Sequence, residues 1–352
     1  MKKPWSDLSK LQEKFLVKEI KYKNRMDFQI PIQMTRLPDG INYTDKILLS
    51  GSCFTEHIGD KLQELKFDTL QNPNGILFDP HSVATSLVSY VQNKKYTESE
   101  LSYFNEVWQS WQHHSRFSHV ERDECLRIIN ESQSNAHQFL KKANWLIITL
   151  GSSFSYRLTE NNLPVANCHR APAQWFRKHL MTIEETSAAL DNCLHQLFQF
   201  NPKLRIIFTI SPVRHIRDGV IENNRSKARL IEVVHHLVNK FDKLFYFPAY
   251  ELVIDVLRDY RFYDIDLVHP NFQATRFVMK KFMEYCVDAS SLQISEEVLQ
   301  IVTARKHKPF QPSTEAHKKF LDTHWQKAKD LQEKYPHIPL QEELDYFAGK
   351  LL

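Results

Sequence analysis

The segment Lys46-Ile47-Leu48-Leu49-Ser50-Gly51-Ser52-Cys53-Phe54 changes its hydrophobic period partway along. Lys46 to Leu49 reads as a short buried strand. Beyond it, Phe54, Ile58, Leu62 and Leu65 recur at i, i+4, i+8 and i+11, the spacing of one helix face. Gly51-Ser52-Cys53 therefore lies on a strand-to-helix turn, with two small nucleophile-capable side chains at a helix N-terminus. The positive end of the helix dipole and the free N–H groups of a first turn both favour an anion there.

The same alternation continues outward. Trp145 to Leu150 is a second strand ending in Gly151-Ser152-Ser153, Arg205 to Ile210 a third ending in Ser211-Pro212, and Phe245 to Phe247 a short fourth. Between them lie helical patterns. One opens with Thr182-x-x-Glu185, a capping-box spacing, and carries Leu190, Leu194 and Leu197 on one face. Another carries Leu230, Val233, Val234, Leu237 and Val238, and a third, after His269-Pro270, carries Val278, Phe282 and Cys286. Continuous apolar strands alternating with helices predict a parallel sheet covered on both faces, a three-layer α/β fold. Such sheets place their chemistry at the carboxyl ends of the strands, where three polar exit loops converge.

With 352 residues, the chain has room for one large domain with appendages. We expect an N-terminal arm over 1–40 with a helix near 7–20, an α/β domain over 41–290, and a helical C-terminal extension over 291–352 packed on it. A segment at about 93–143 reads as an insertion with a small core of its own. Its Trp108, Trp111, His113, His114, Arg116 and Phe117 form an aromatic and basic cluster. A net charge of +4, with Arg305 to Lys308 as its densest basic run, reads as a solvated surface and not as a nucleic-acid interface. Five cysteines without framework spacing argue against a disulfide scaffold. No C-x-x-C, H-x-H or H-E-x-x-H spacing offers a metal site, so no metal and no cofactor are expected. No apolar run is long enough to span a membrane, and Met1-Lys2-Lys3-Pro4 lacks a signal-peptide core. A cytoplasmic protein without membrane partners is the expectation.

Asp266-Leu267-Val268-His269 supplies a carboxylate and an imidazole three residues apart, in a loop that Pro270 closes. His269 is the candidate general base and Asp266 the acid that fixes its tautomer, with Asp264 a competitor for the acid role. A nucleophile at the Gly51 turn completes a Cys/Ser-His-Asp set.

These residues resemble the GSCFA family, a bacterial group among SGNH (GDSL-type) hydrolase-like proteins. The resemblance rests on Gly51-Ser52-Cys53-Phe54 with Thr55-Glu56-x-Ile58-Gly59, on Asn72-Pro73-Asn74-Gly75, on the strand ending at Gly151, on Val165-Ala166-Asn167-Cys168-His169, on Ser211-Pro212-Val213 and on Asp266-x-x-His269. It spans about residues 28–340 and implies a flavodoxin-like sheet and esterase-type chemistry. The Gly-Asp-Ser turn of SGNH enzymes, laid on Gly51-Ser52-Cys53, puts Cys53 at the nucleophile. A slip of one residue puts Ser52 there instead. The backbone N–H groups of Cys53 and Gly75 are the expected oxyanion donors. Where the SGNH pattern has an Asn, this chain has Ser153, and Asn167 and His169 are the candidates to compensate. The leading expectation is an acyl-ester hydrolase or acyltransferase working through a covalent acyl-enzyme on a small-molecule or, by analogy, carbohydrate ester. The alternatives are a non-catalytic ligand-binding module on the same scaffold, for which Ser153 would mark lost activity, and a cysteine-dependent amidase or peptidase.

Overall fold

The computed structural model describes residues 29–350, so the helix expected near 7–20 lies outside the described residues. The described chain begins its regular structure with β1 (Lys46–Gly51), α1 (Cys53–Glu64), β2 (Asp68–Gln71) and α2 (Pro80–Val91). A hairpin of β3 (Ser102–Phe104) and β4 (Val107–Gln109) precedes α3 (Arg122–Lys142) and β5 (Trp145–Leu150). A small meander follows, β6 (Phe154–Leu158), β7 (Pro164–Val165) and β8 (Phe176–Leu180). Then come α4 (Ile183–Phe200), β9 (Arg205–Ile210), α5 (Gly219–Lys240) and β10 (Leu244–Phe247). The chain closes with α6 (Phe272–Cys286), α7 (Ala289–Arg305), α8 (Glu315–Lys334) and α9 (Gln341–Phe347).

Five strands form one parallel sheet in the order β10-β9-β5-β1-β2. Side chains of a strand alternate between faces, and here both faces are apolar. Ile47 and Leu49 pack with Phe54, Ile58 and Leu62 of α1, while Leu48 between them packs with Leu87, Leu140, Leu194 and Val234 on the other side. Each such burial contributes roughly 1.5–3 kcal/mol. The sheet is thus the middle of a three-layer α/β fold. The chain leaves β1 toward β2 on one side and returns to β5 on the other, which opens a crevice at the carboxyl ends of β1 and β5, the switch point of the winding.

Two pieces of β-structure depart from the apolar-run expectation. β2 is an edge strand, Asp68-Thr69-Leu70-Gln71, exposed or half-buried throughout, so it carries no apolar run. The meander strands alternate apolar with charged residues because one of their faces meets solvent. Tyr156, Leu158 and Phe176 turn inward onto Trp111 and Val165.

The expected insertion is also shorter than 93–143. In α3, Cys125 and Ile129 join a small cluster with Tyr96, Leu101 and Phe117, but Ala136 and Leu140 lie in the core under the main sheet. One helix serves both, so only about 93–121 stands outside the layers. At the other end, Ile294, Val298 and Ile301 of α7, Leu331 of α8 and Phe347 of α9 share the cluster that contains Ile47. Buried Glu343 clamps this region to the end of α1, bonding Lys66 at 2.8 Å and Arg305 at 3.1 Å. Among the described residues no helix is long and apolar enough to cross a membrane.

Candidate active site

The turn at the end of β1 is built by close approach. Gly51 has φ +142°, and a Cβ there would overlap the Thr149 carbonyl of β5. The glycine lets the chain leave β1 pressed against its neighbour. Three hydrogen bonds fix the exit: Ser52 N–H to Thr149 O at 3.1 Å, Gly51 N–H to Asn72 Oδ1 at 2.9 Å, and Thr55 N–H back to Ser52 O at 2.8 Å. Ser52 is the N-cap of α1, but its hydroxyl caps nothing. It is 1 % exposed, lies toward Gly151, and its Oγ has no hydrogen-bond partner among the described residues. Cys53, the first helical residue, is only half-buried. Of the two nucleophile candidates, Cys53 is the more exposed.

The thiol is not held low, as a helix N-terminus and a nearby imidazole would have it. Burial pushes its pKa up, the N–H groups of Phe54 and Cys53 pull it back, and Glu56 opposes them.

Asp266 and His269 do pair. His269 Nδ1 lies 2.6 Å from Asp266 Oδ2, and Asp266 Oδ1 accepts the N–H groups of Val268 at 2.9 Å and His269 at 3.0 Å. Those donors, the His269 backbone first, hold the Asp266 carboxyl at about 2, so it is a carboxylate at any ordinary pH. Nδ1 must then carry the proton, which leaves Nε2 as the basic nitrogen. The loop is held at the sheet's carboxyl rim by Arg214, from the exit of β9. Its guanidinium donates to Leu267 O at 3.3 Å and stacks 4.5 Å from the Tyr263 ring. No hydrogen bond joins Cys53 to His269. Asp264 meets His269 only through the backbone, its N–H donating to His269 O at 2.8 Å, while the His269 ring pairs with Asp266.

The expected oxyanion donors fare differently. Gly75, with φ +81°, gives its N–H to Asn72 O at 2.7 Å, so that donor is already spent in a turn. Its missing Cβ makes room for His114 of the 93–121 segment. Ser153 is fully buried, with its hydroxyl donating to Ser226 O at 2.8 Å and its N–H to Ser226 Oγ at 2.7 Å, and does not face the crevice. Asn167 Oδ1 accepts the His169 N–H at 2.9 Å, which leaves its amide nitrogen available. His169 is a clasp: its Nε2 bonds Ser110 O at 2.8 Å, its ring is buried, and burial lowers its pKa. His113 is likewise buried against Ser110 Oγ at 3.0 Å, and His114 accepts a bond from the Arg116 N–H. No group of three or more metal-ligating side chains occurs among the described residues. The N–H groups of Cys53 and Phe54 remain as donors at the turn.

Lys227 is the residue that sequence reasoning missed. It lies on the buried stripe of α5, in register with Leu230 and Val234, and is 1 % exposed. Its ammonium donates to Gly151 O at 2.6 Å and Ser211 O at 2.5 Å, joining the exits of β5 and β9. Burial pushes its pKa down to about 7, against which the charge of an ionised Cys53 pulls upward. A lysine continuing an apolar helix stripe was the available signal.

The hairpin and the meander enclose a cleft of about 630 Å³ lined by Tyr103, Phe104, Trp111, Trp175, Asn161 and Gln174, with no lining residue from the Cys53 turn or the Asp266–His269 loop.

A parallel sheet of this order, with a half-buried thiol at the switch point and an Asp-oriented imidazole on a loop tied to the β9 exit by Arg214, defines a flavodoxin-like three-layer α/β protein. The chain belongs to the GSCFA family, whose sequence profile matches residues 46–282, and the profile of the GSCFA domain protein C-terminal domain matches residues 298–352. No curated protein matches it. Among solved structures, a carbohydrate esterase family 3 from Talaromyces cellulolyticus is similar at 10% identity, over 74% of this chain and 98% of that one, with a TM-score of 0.35. An acetyl xylan esterase from the rumen bacterium Butyrivibrio proteoclasticus is similar at 11% identity, over 73% of this chain and 64% of that one, with a TM-score of 0.33.

Proposed function

We propose that this GSCFA protein is an acyl-ester hydrolase that works through a thioester on Cys53. The observation that carries the reading is the Asp266–His269 pair at 2.6 Å, whose carboxylate is pinned by two backbone N–H groups and whose imidazole presents Nε2 as a base. In the proposed cycle, Nε2 takes the thiol proton as sulfur attacks the acyl carbon. The N–H groups of Cys53 and Phe54 meet the developing oxyanion at the positive end of α1. Nε2 then returns the proton to the departing alcohol. In the second half Nε2 activates a water, the thioester breaks, and the thiol regains its proton. Since Cys53 and His269 are not hydrogen-bonded in the free protein, the exposed loop carrying Ile265 and Leu267 must close on the turn when substrate binds.

An ester borne on a sugar is the proposed substrate class. Exposed ring faces of Tyr103 and Trp175 suit sugar C–H edges, and the Asn161 and Gln174 amides suit hydroxyls. The test is hydrolysis of p-nitrophenyl acetate and of an acetylated oligosaccharide by the parent, Cys53→Ala, Ser52→Ala and His269→Ala. Loss of roughly a thousandfold or more in kcat is expected for Cys53→Ala and His269→Ala, with Ser52→Ala retaining activity. Full activity in Cys53→Ala would overturn the reading. Faster turnover of the amide analogue would make the protein an amidase, and saturable binding without turnover would make it a binding module.

A further inference from the structure

The cleft between the hairpin and the meander is walled by rings that are exposed yet fixed. Tyr103 is 59 % exposed and Trp175 41 %, a large apolar surface to leave in water. Neither ring is loose. Trp175 of the meander meets Phe104 of β3 edge to face at 5.1 Å, and Tyr103 leans on Trp108 of β4 at 5.2 Å. Buried Trp111 ties the two walls together, its carbonyl accepting the Ala166 N–H at 2.8 Å, and the Gln112 amide beside it donates to Pro164 O at 2.6 Å. The cleft is therefore formed before any ligand arrives.

Its polar groups select for a neutral partner. Asn161 Oδ1 accepts the Leu163 N–H at 3.0 Å, which fixes the side chain and leaves its amide N–H groups without a partner among the described residues. The Gln174 amide has none there either; only its backbone carbonyl is bound, by Thr159 Oγ1 at 3.2 Å. Of the lining carboxylates, Glu100 is paired with Lys94 at 2.7 Å, and no lysine or arginine lines the cleft. An anionic ligand would meet the Glu100 and Glu160 carboxylates with no lining cation to offset them. A lone ammonium would suit Glu160 and a ring face but would fill little of about 630 Å³. Flat apolar rings accompanied by amide donors and acceptors suit pyranose units, whose C–H faces are apolar and whose edges carry hydroxyls.

We propose that this cleft is a separate anchoring site for a neutral oligosaccharide, holding sugar units that do not themselves react. Its lining takes nothing from the Cys53 turn or the Asp266–His269 loop, so its occupant is not the reacting ester. The segment that forms one wall also packs on that turn: His114 fills the space beside Gly75, and Arg116 lies 3.7 Å from Glu56 of α1. That the anchored glycan carries the ester rests on the proposed function; that the cleft binds glycan does not.

The experiment is calorimetric titration of the full-length protein with cellohexaose, xylohexaose, mannohexaose and chitohexaose, none of which carries an ester. Hexagalacturonate and tetramethylammonium are the charged counterparts. At least one neutral glycan should bind saturably, and Trp175→Ala and Tyr103→Ala should each weaken it about tenfold. Gln174→Ala, which leaves the rings in place, should weaken it about fivefold. All three side chains are exposed, so their removal leaves the core intact. No saturable binding of any neutral hexaose, or full-strength binding by Trp175→Ala, would overturn the proposal. So would tighter binding of hexagalacturonate or tetramethylammonium than of every neutral glycan. Glycan binding by a protein that hydrolyses no ester would leave this inference standing and remove the proposed function. Ester hydrolysis without glycan binding would leave the hydrolase and remove the anchoring site.

Discussion

Replacing Lys227 by methionine should make the stability of the protein respond differently to pH. Lys227 is held near 7 in the folded protein against an ordinary value of 10.5, because burial disfavours the ammonium. A depressed lysine means that the unfolded chain binds more protons throughout the window between those two values. Stability of the parent should therefore rise with pH there, by about 1.4 kcal/mol per pH unit from this group alone. The methionine variant lacks that contribution. Its two freed carbonyls, Gly151 O and Ser211 O, cost a constant amount of roughly 1–3 kcal/mol each, independent of pH. Subtracting the two stability curves cancels the constant and leaves the slope. Between about pH 7 and about pH 9, the parent should gain about 2–3 kcal/mol on the variant, while below about pH 6 the difference should be flat. Urea unfolding at intervals across this range, followed by tryptophan fluorescence, measures it. Parallel curves would refute the reasoning, because they would mean that Lys227 keeps its proton on folding.

Gly51→Ala should destabilise by about 3 kcal/mol or more, since the position combines φ +142° with a Cβ that overlaps Thr149 O, and urea midpoints will show it. Glu343→Gln should cost about 2–4 kcal/mol, because it leaves Lys66 and Arg305 without their buried carboxylate, again read from the urea midpoint. Asp266→Asn should lower kcat by roughly a hundredfold or more through loss of the Nδ1 tautomer, with an unchanged thermal midpoint because the pair is about half exposed. With Asp266 held at about 2, loss of activity on acidification should not follow this carboxyl, and an acid limb present in the parent should persist in the residual activity of Asp266→Asn.

What was legible in the sequence follows the periods of burial. Ile47 to Leu49 and Trp145 to Leu150 are buried on both faces, so they stand out as apolar runs. Phe54, Ile58, Leu62 and Leu65 mark α1 because one face meets the sheet. β2 and the meander escaped because each has an open face or edge, where polar residues break the run. The Asp266-x-x-His269 pair was legible because both partners lie in one short loop, where spacing sets geometry. The oxyanion donors were not, because whether an N–H is spent depends on the turn around it: Gly75 closes on Asn72 O, and Ser153 meets Ser226 from a helix far along the chain. Lys227 escaped for the same reason, since its partners Gly151 and Ser211 belong to two other strands.

The most direct test of the central claim is to trap the acyl-enzyme. Parent protein mixed with p-nitrophenyl acetate and quenched in acid should yield one acetylated peptide, with the acetyl group on Cys53 as a thioester that hydroxylamine removes. Cys53→Ala should yield no such peptide, and Ser52→Ala should yield it as the parent does. An acetyl group on Ser52, or steady turnover by Cys53→Ala, would contradict the account.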